Sequence, residues 1–264
     1  MSNKAEVLRA SRDQWLEAQK GESNIWTRLN QNNSFLKVLL KSFVSVKHSP
    51  QKGLIAYLML NYLRYRDFCI GDDWNYWWMK QFKGYRALPK YLEKALEVGC
   101  GPYTNIRLIS KRCKIKEVHC ADPLIDTYLS YKLTWLSVQF GRNRIRISSD
   151  KCESIKSADN HYDLVICINV LDHAEDAEQC LKEMARVIKP GGYIVFGQDL
   201  TNEEDLLSSI VQKDRLHPIK IHHTTLDDTF QTTFDSCLKK ILPRDKGRDP
   251  RLHYGTYIFI GRKK

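Results

Sequence analysis

Glu97-Val-Gly-Cys-Gly101 sets a carboxylate and two glycines directly after the apolar pair Ala95-Leu96. Glycine lets a backbone turn sharply and approach a ligand where a Cβ would collide. Glu97 can accept hydrogen bonds from an amine or a hydroxyl. Two further clusters could do chemistry. Asp122-Pro123 offers a second carboxylate after an apolar segment, and Asn169-Val-Leu-Asp172-His173 sets an imidazole beside a third. A neutral imidazole can take a proton near neutral pH, so His173, with Asp172, is the candidate general base. The plainer reading of that pair is a helix cap with a solvated aspartate. A glycine turn alone is also an ordinary strand-to-helix connection, so the surrounding elements have to decide.

Those elements alternate. Lys94 to Val98 reads as an apolar strand, Glu117-Val-His-Cys-Ala-Asp122 as a second, and His161 to Asn169 as a near-continuous apolar run. Such a run suits a strand buried on both faces. Ala177, Cys180, Leu181, Met184, Ala185 and Ile188 then recur at helical spacing. Lys189-Pro-Gly-Gly192 stops that helix, and Tyr193-Ile-Val-Phe196 begins another strand. Strand and helix in alternation predict an α/β fold with a doubly wound parallel sheet. Open sheets of this kind bind ligands outside the carboxyl ends of their strands, where Glu97, Asp122 and Asn169 fall.

Four segments in order, Glu97-Val-Gly-Cys-Gly101, Asp122-Pro123, Tyr162-Asp-Leu-Val165 and Val187-Ile-Lys-Pro-Gly-Gly192, resemble the class I S-adenosylmethionine-dependent methyltransferases. The nearest branch is the small-molecule, ubiquinone-biosynthesis-like group. The resemblance covers residues 90–200 well and the remainder loosely. A nicotinamide-binding Rossmann enzyme is the competitor, but Thr104 stands where its fingerprint wants a third glycine. Tyr103 departs from the methyltransferase pattern, in which many members carry another glycine.

The resemblance implies a Rossmann-like sheet of seven strands, mostly parallel, with an antiparallel C-terminal hairpin. It implies S-adenosylmethionine as cofactor and S-adenosylhomocysteine as product. Gly99, Cys100, Gly101 and Tyr103 would lie along the methionyl and ribose parts, with Glu97 near the amino group, directly or through water. Asp122, with Pro123, would take the ribose hydroxyls. Asp150, Lys151 or Cys152 would meet the adenine edge, and Asn169 would face the sulfonium. The loop after the fifth strand, with His217 and His222, would border the acceptor.

Residues 1–90 read as a helical lid or substrate-binding region and residues 91–264 as the cofactor-binding domain. Leu36–Leu40 and Leu54–Leu63 are apolar stretches of the first part. Asp72 or Asp73 can cap a helix carrying Trp74, Trp77, Trp78 and Phe82 on one face. That stripe either packs onto the sheet or, through Trp74 and Trp78, forms an aromatic wall for the acceptor. Arg86 is the candidate for the cofactor carboxylate. Phe234–Leu242 and His253–Gly261 read as the last two strands, joined by a polar loop.

The chain has 264 residues, enough for one large core plus an accessory layer. It carries no run of apolar residues long enough to span a membrane, and its first residues lack the apolar core of a secretory signal. Its 8 cysteines form no Cys-x-x-Cys pair, which fits reduced thiols in a cytoplasm and argues against structural zinc. With no carboxylate triad beside the His217–His223 group, no metal site is expected. A net charge of +11 permits an RNA partner. Asn169-Val-Leu-Asp172 nevertheless stands where base methyltransferases carry Asn-Pro-Pro-aromatic, and no Pro-Cys nucleophile occurs. The expected acceptor is a hydroxyl of a small molecule or a sugar, with a loose similarity to bacterial glycan-locus methyltransferases around Gly71–Pro89 and Gly101–Asn105. RNA methylation, or a silent cofactor-binding partner subunit, stands as the alternative.

Overall fold

The protein is described by a computed structural model over residues 7–32, 74–131, 134–200, 215–247 and 255–264. The apolar stretches at 36–40 and 54–63 and the capping aspartates Asp72 and Asp73 lie outside these residues.

Seven strands form one sheet: β1 (Tyr91–Val98), β2 (Lys114–Ala121), β3 (Arg146–Ser148), β4 (Tyr162–Ile168), β5 (Ile188–Asp199), β6 (Phe234–Pro243) and β7 (Gly255–Lys263). Their order is β3-β2-β1-β4-β5-β7-β6. The first five run parallel, while β7 lies antiparallel to both β5 and β6. The doubly wound sheet and the antiparallel C-terminal edge are thus as expected. The helices are α1 (Arg12–Asn32), α2 (Trp74–Gln81), α3 (Ile106–Ile109), α4 (Ile125–Leu129), α5 (Trp135–Gly141), α6 (Ala177–Val187) and α7 (His223–Thr233).

Strand alternation divides the core into two layers. Leu96, Val98, Val165, Cys167, Ile194 and Phe196 point to one face, where Leu181 and Met184 of α6 and Phe230 of α7 cover them. Ala95, Leu164, Ile166, Val195 and Ile258 point to the other, beneath Trp78, Phe82, Ile106 and Tyr128. Both faces are covered, so the central strands read as continuous apolar runs rather than alternating ones.

Local signals fix the element ends. Asp176 caps α6 by accepting from the Gln179 amide at 2.9 Å. Ser11 and Gln14 form a reciprocal capping box at the start of α1. The Lys189-Pro-Gly-Gly192 segment differs from its sequence reading: it lies inside β5 rather than before it. Gly191 takes φ +76° there, and the β4–β5 register shifts between Tyr162 and Leu164. At Gly197 in β5 a Cβ would stand 2.7 Å from the Trp78 ring, so this glycine makes the room that seats α2 on the sheet.

Candidate active site

A cavity of about 320 Å³ opens at the carboxyl ends of β1, β2 and β4. Its floor is the glycine turn. Gly99 and Gly101 take φ +61° and +56°, a left-handed conformation that side chains other than glycine rarely adopt. A Cβ on Gly99 would stand 2.4 Å from Val170, whereas one on Gly101 would meet nothing within 4 Å. The first glycine is therefore a packing requirement, and the second leaves open space.

Asp122 stands at the end of β2 and holds the turn in place. Its Oδ2 accepts from the Gly101 amide at 3.1 Å and its Oδ1 from the Leu124 amide at 2.8 Å. Each oxygen retains further acceptor capacity. Burial pushes its carboxyl up to about 6; the two amides pull against that, Glu22 adds to it, and His173 opposes it.

Glu97 departs from its expected place. It does not line the cavity. One carboxylate oxygen accepts from the Asn105 amide at 2.7 Å and from Asn105 Nδ2, and the other accepts from the Ile106 amide at 2.9 Å. These bonds satisfy backbone donors at the start of α3, a demand every helix start makes. Burial raises its pKa to about 7 against those donors.

The remaining positions divide. Cys100, Tyr103, Pro123, Cys152, Asn169, Trp78, His173 and His217 line the cavity. Asn169 takes φ +58°, and its Oδ1 accepts from the Asp199 amide at 3.3 Å. Asp150 and Lys151 stand outside: Asp150 accepts from the Lys156 amide, and Lys151 pairs with Glu175 over the Trp15 ring. His222 precedes α7 away from the cavity, and Arg86 is solvent-exposed. Trp74 opens α2, and its side chain lies outside the described residues. Trp78 takes part in both sequence readings of the aromatic stripe, packing on the sheet and also reaching the cavity.

Two features went unassigned to particular residues in the sequence. Helix α1 covers the cavity with Trp15, Gln19, Glu22, Ile25 and Trp26. It is fastened by the Val7–Lys220 bridge, by the Ala10 amide on the Glu175 carbonyl at 2.8 Å, and by Arg9 on Asp176 at 2.9 Å. Its capping box announces a helix but not what the helix covers. The second feature is a meeting of distant residues. His217 approaches His173, with ring centroids 4.6 Å apart, and both imidazoles face the buried Asp172.

Sheet order, glycine turn and cavity define the class I methyltransferase fold, whose cofactor is S-adenosylmethionine. The donor set suits that group: a glycine with open space beside it, a carboxylate with spare acceptor capacity, and a cavity partly walled by aromatics. Residues 96–196 match the family model described as a methyltransferase domain, and this region is such a domain. The human thiol S-methyltransferase TMT1A is 26% identical over 149 residues, which is 54% of this chain and 52% of that protein. The ubiquinone biosynthesis O-methyltransferase of Yersinia pestis is 32% identical over 56 residues, 21% of this chain and 23% of its own. The chain thus spans about half the length, or less, of these curated relatives. The N-methyltransferase NodS of Bradyrhizobium japonicum, solved in complex with S-adenosyl-L-homocysteine, superposes with a TM-score of 0.50 at 14% identity. That match covers 70% of this chain and 85% of NodS.

Proposed function

We propose that this protein transfers methyl from S-adenosylmethionine to a hydroxyl of a small molecule or a sugar, in the cytoplasm. The observation that carries the reading is the convergence on one cavity of the glycine turn, Asp122, His173 and His217, with the buried Asp172 behind the two histidines. The cofactor supplies an electrophilic methyl group. In this reading Gly99, Cys100 and Gly101 cradle it, Asp122 holds its ribose hydroxyls, Cys152 borders the adenine, and Asn169 and Tyr103 border the methionyl end. His173, beside the Asp172 carboxylate, takes the acceptor's proton, and the walls hold the acceptor in line.

Residues 1–90 act as the lid and residues 91–264 as the cofactor-binding domain. Trp26, set edge-on to Tyr103 at 5.7 Å, and Trp78 give the acceptor an aromatic wall of the kind sugars and planar rings favour. A thiol acceptor is the second reading, favoured by the similarity to the thiol S-methyltransferase TMT1A. The basic balance keeps RNA as a third arm of the test. Among the described residues no helix is long and apolar enough to cross a membrane.

The test is transfer of labelled methyl into fractionated cell extract, with and without ribonuclease. Label in the carbohydrate or metabolite fraction, stable to mild base and indifferent to ribonuclease, supports the reading. Label on a thioether would move the acceptor to a thiol, and ribonuclease-sensitive label would move it to RNA. Extract left unlabelled by protein that binds the cofactor would favour a silent partner subunit.

A further inference from the structure

The Asp172–His173–His217 cluster is more than a base and a neighbouring carboxylate. Asp172 Oδ1 stands 3.8 Å from His173 Nε2, and Asp172 Oδ2 stands 3.9 Å from His217 Nε2. Both separations are too long for hydrogen bonds. Ligand atoms of the three side chains nonetheless all fall within 4.8 Å of one another. His173 Nδ1 is buried without a hydrogen-bond partner among the described residues.

We propose that these three side chains seat a divalent transition-metal ion at the acceptor end of the cavity. This rests on the preceding reading for the place of the acceptor. Two imidazoles and one carboxylate form a donor set that suits Zn²⁺ or Fe²⁺ and leaves positions open to a further ligand; all-oxygen sets suit Mg²⁺. Ligands at about 2.1 Å from one ion sit roughly 3.0–3.4 Å from each other, so small side-chain rotations close this shell. Both histidines line the cavity, so the open positions face it.

The backbone beneath is firmly held. The Leu171 amide donates to the buried Gln198 side chain at 3.1 Å, the Ile219 amide to the Asp172 carbonyl at 3.3 Å, and Gln19 Nε2 to the His173 carbonyl at 3.3 Å. An ion here polarises the O–H or S–H bond of a coordinated acceptor, a task otherwise left to the His173 imidazole alone. It also explains why His217 is brought beside His173, a pairing that a single general base does not require.

The experiment uses the full chain, stripped with chelator and then titrated with Co²⁺ and Zn²⁺. Visible absorption of Co²⁺ and elemental analysis after desalting are the readouts. The expected result is one tightly held ion per chain, with ligand-field bands of a low-coordinate nitrogen–oxygen site. Affinity should fall by at least about 100-fold in His217→Ala and in Asp172→Asn, since loss of outer-shell partners alone is worth ~10–100-fold. His217 lies on a loop and is partly exposed, so its variant stays informative if Asp172→Asn misfolds. S-adenosylhomocysteine affinity, measured on the same samples, should be unchanged. Cofactor binding without Co²⁺ uptake, or equal uptake by wild type and His217→Ala, would overturn the metal seat and leave the methyltransferase reading standing. Co²⁺ held by these ligands in a chain without cofactor affinity would uphold the seat and remove the methyltransferase reading.

Discussion

Asp122→Asn separates what the fold asks of this carboxylate from what the cofactor asks of it. Burial lifts the Asp122 pKa from an ordinary 3.8 to about 6. Because the folded value lies above the unfolded one, the group's stabilisation is complete below pH 4 and is lost as pH rises through 6. Above that point the ionised carboxylate burdens the fold by about 3 kcal/mol, and about 1.5 kcal/mol of this change falls between pH 5 and pH 8. Asparagine cannot ionise. It does lose one acceptor, because Gly101 and Leu124 both donate to the carboxylate. That loss costs roughly 1–3 kcal/mol and is independent of pH. The melting temperature of Asp122→Asn, relative to wild type, should therefore climb between pH 5 and pH 8 by about 3–6 °C. Calorimetry with S-adenosylhomocysteine should show binding weakened by about 1–3 kcal/mol, roughly 5- to 150-fold, because ribose hydroxyls would lose a charged acceptor. A melting difference that stays flat with pH would refute the burial argument. Unchanged affinity would remove Asp122 from the cofactor site, whatever the melting curves show.

The other expected outcomes are shorter. Gly99→Ala should destabilise strongly, because its Cβ would stand 2.4 Å from Val170; adding Val170→Ala should recover part of the loss in a double-mutant cycle, and purely additive effects would deny the clash. Gly101→Ala meets no such wall and should cost only about 1–2 kcal/mol for its left-handed backbone while weakening cofactor binding; stability falling as far as in Gly99→Ala would contradict the open space beside it. Glu97→Ala should lower unfolding free energy by about 2–4 kcal/mol by stranding the buried Asn105 and Ile106 donors, and a chemical denaturation curve like wild type would show that α3 is capped some other way. His173→Ala should reduce single-turnover methyl transfer on the order of 100-fold with cofactor affinity intact; wild-type turnover would assign the residue to structure.

Legibility in the sequence followed the range of the interactions. Strand ends, the glycine turn, Asp122 and Asn169 were readable because apolar period and turn chemistry act over a few residues, and an open α/β sheet delivers strand ends to one edge. Glu97 shows where that logic stops. A carboxylate after an apolar strand can serve a ligand or the next helix start, and only the position of the Asn105 and Ile106 amides decides between them. Helix α1 fails differently: its capping box is local, but the cavity it covers belongs to β1, β2 and β4.

The histidines make the sharpest case. His173 and His217 are separated in sequence by α6, β5 and the segment after it, and nothing local to either announces that they meet. What joins them is backbone: the Ile219 amide on the Asp172 carbonyl, and Lys220 bridged to Val7 just before α1. Those contacts pin the segment after β5 to the end of β4, so a carboxylate and an imidazole adjacent in sequence gain a second imidazole from a distant stretch. The carboxylate stands beside His173, 45 residues before His217 in sequence, and only the fold brings the second imidazole to it.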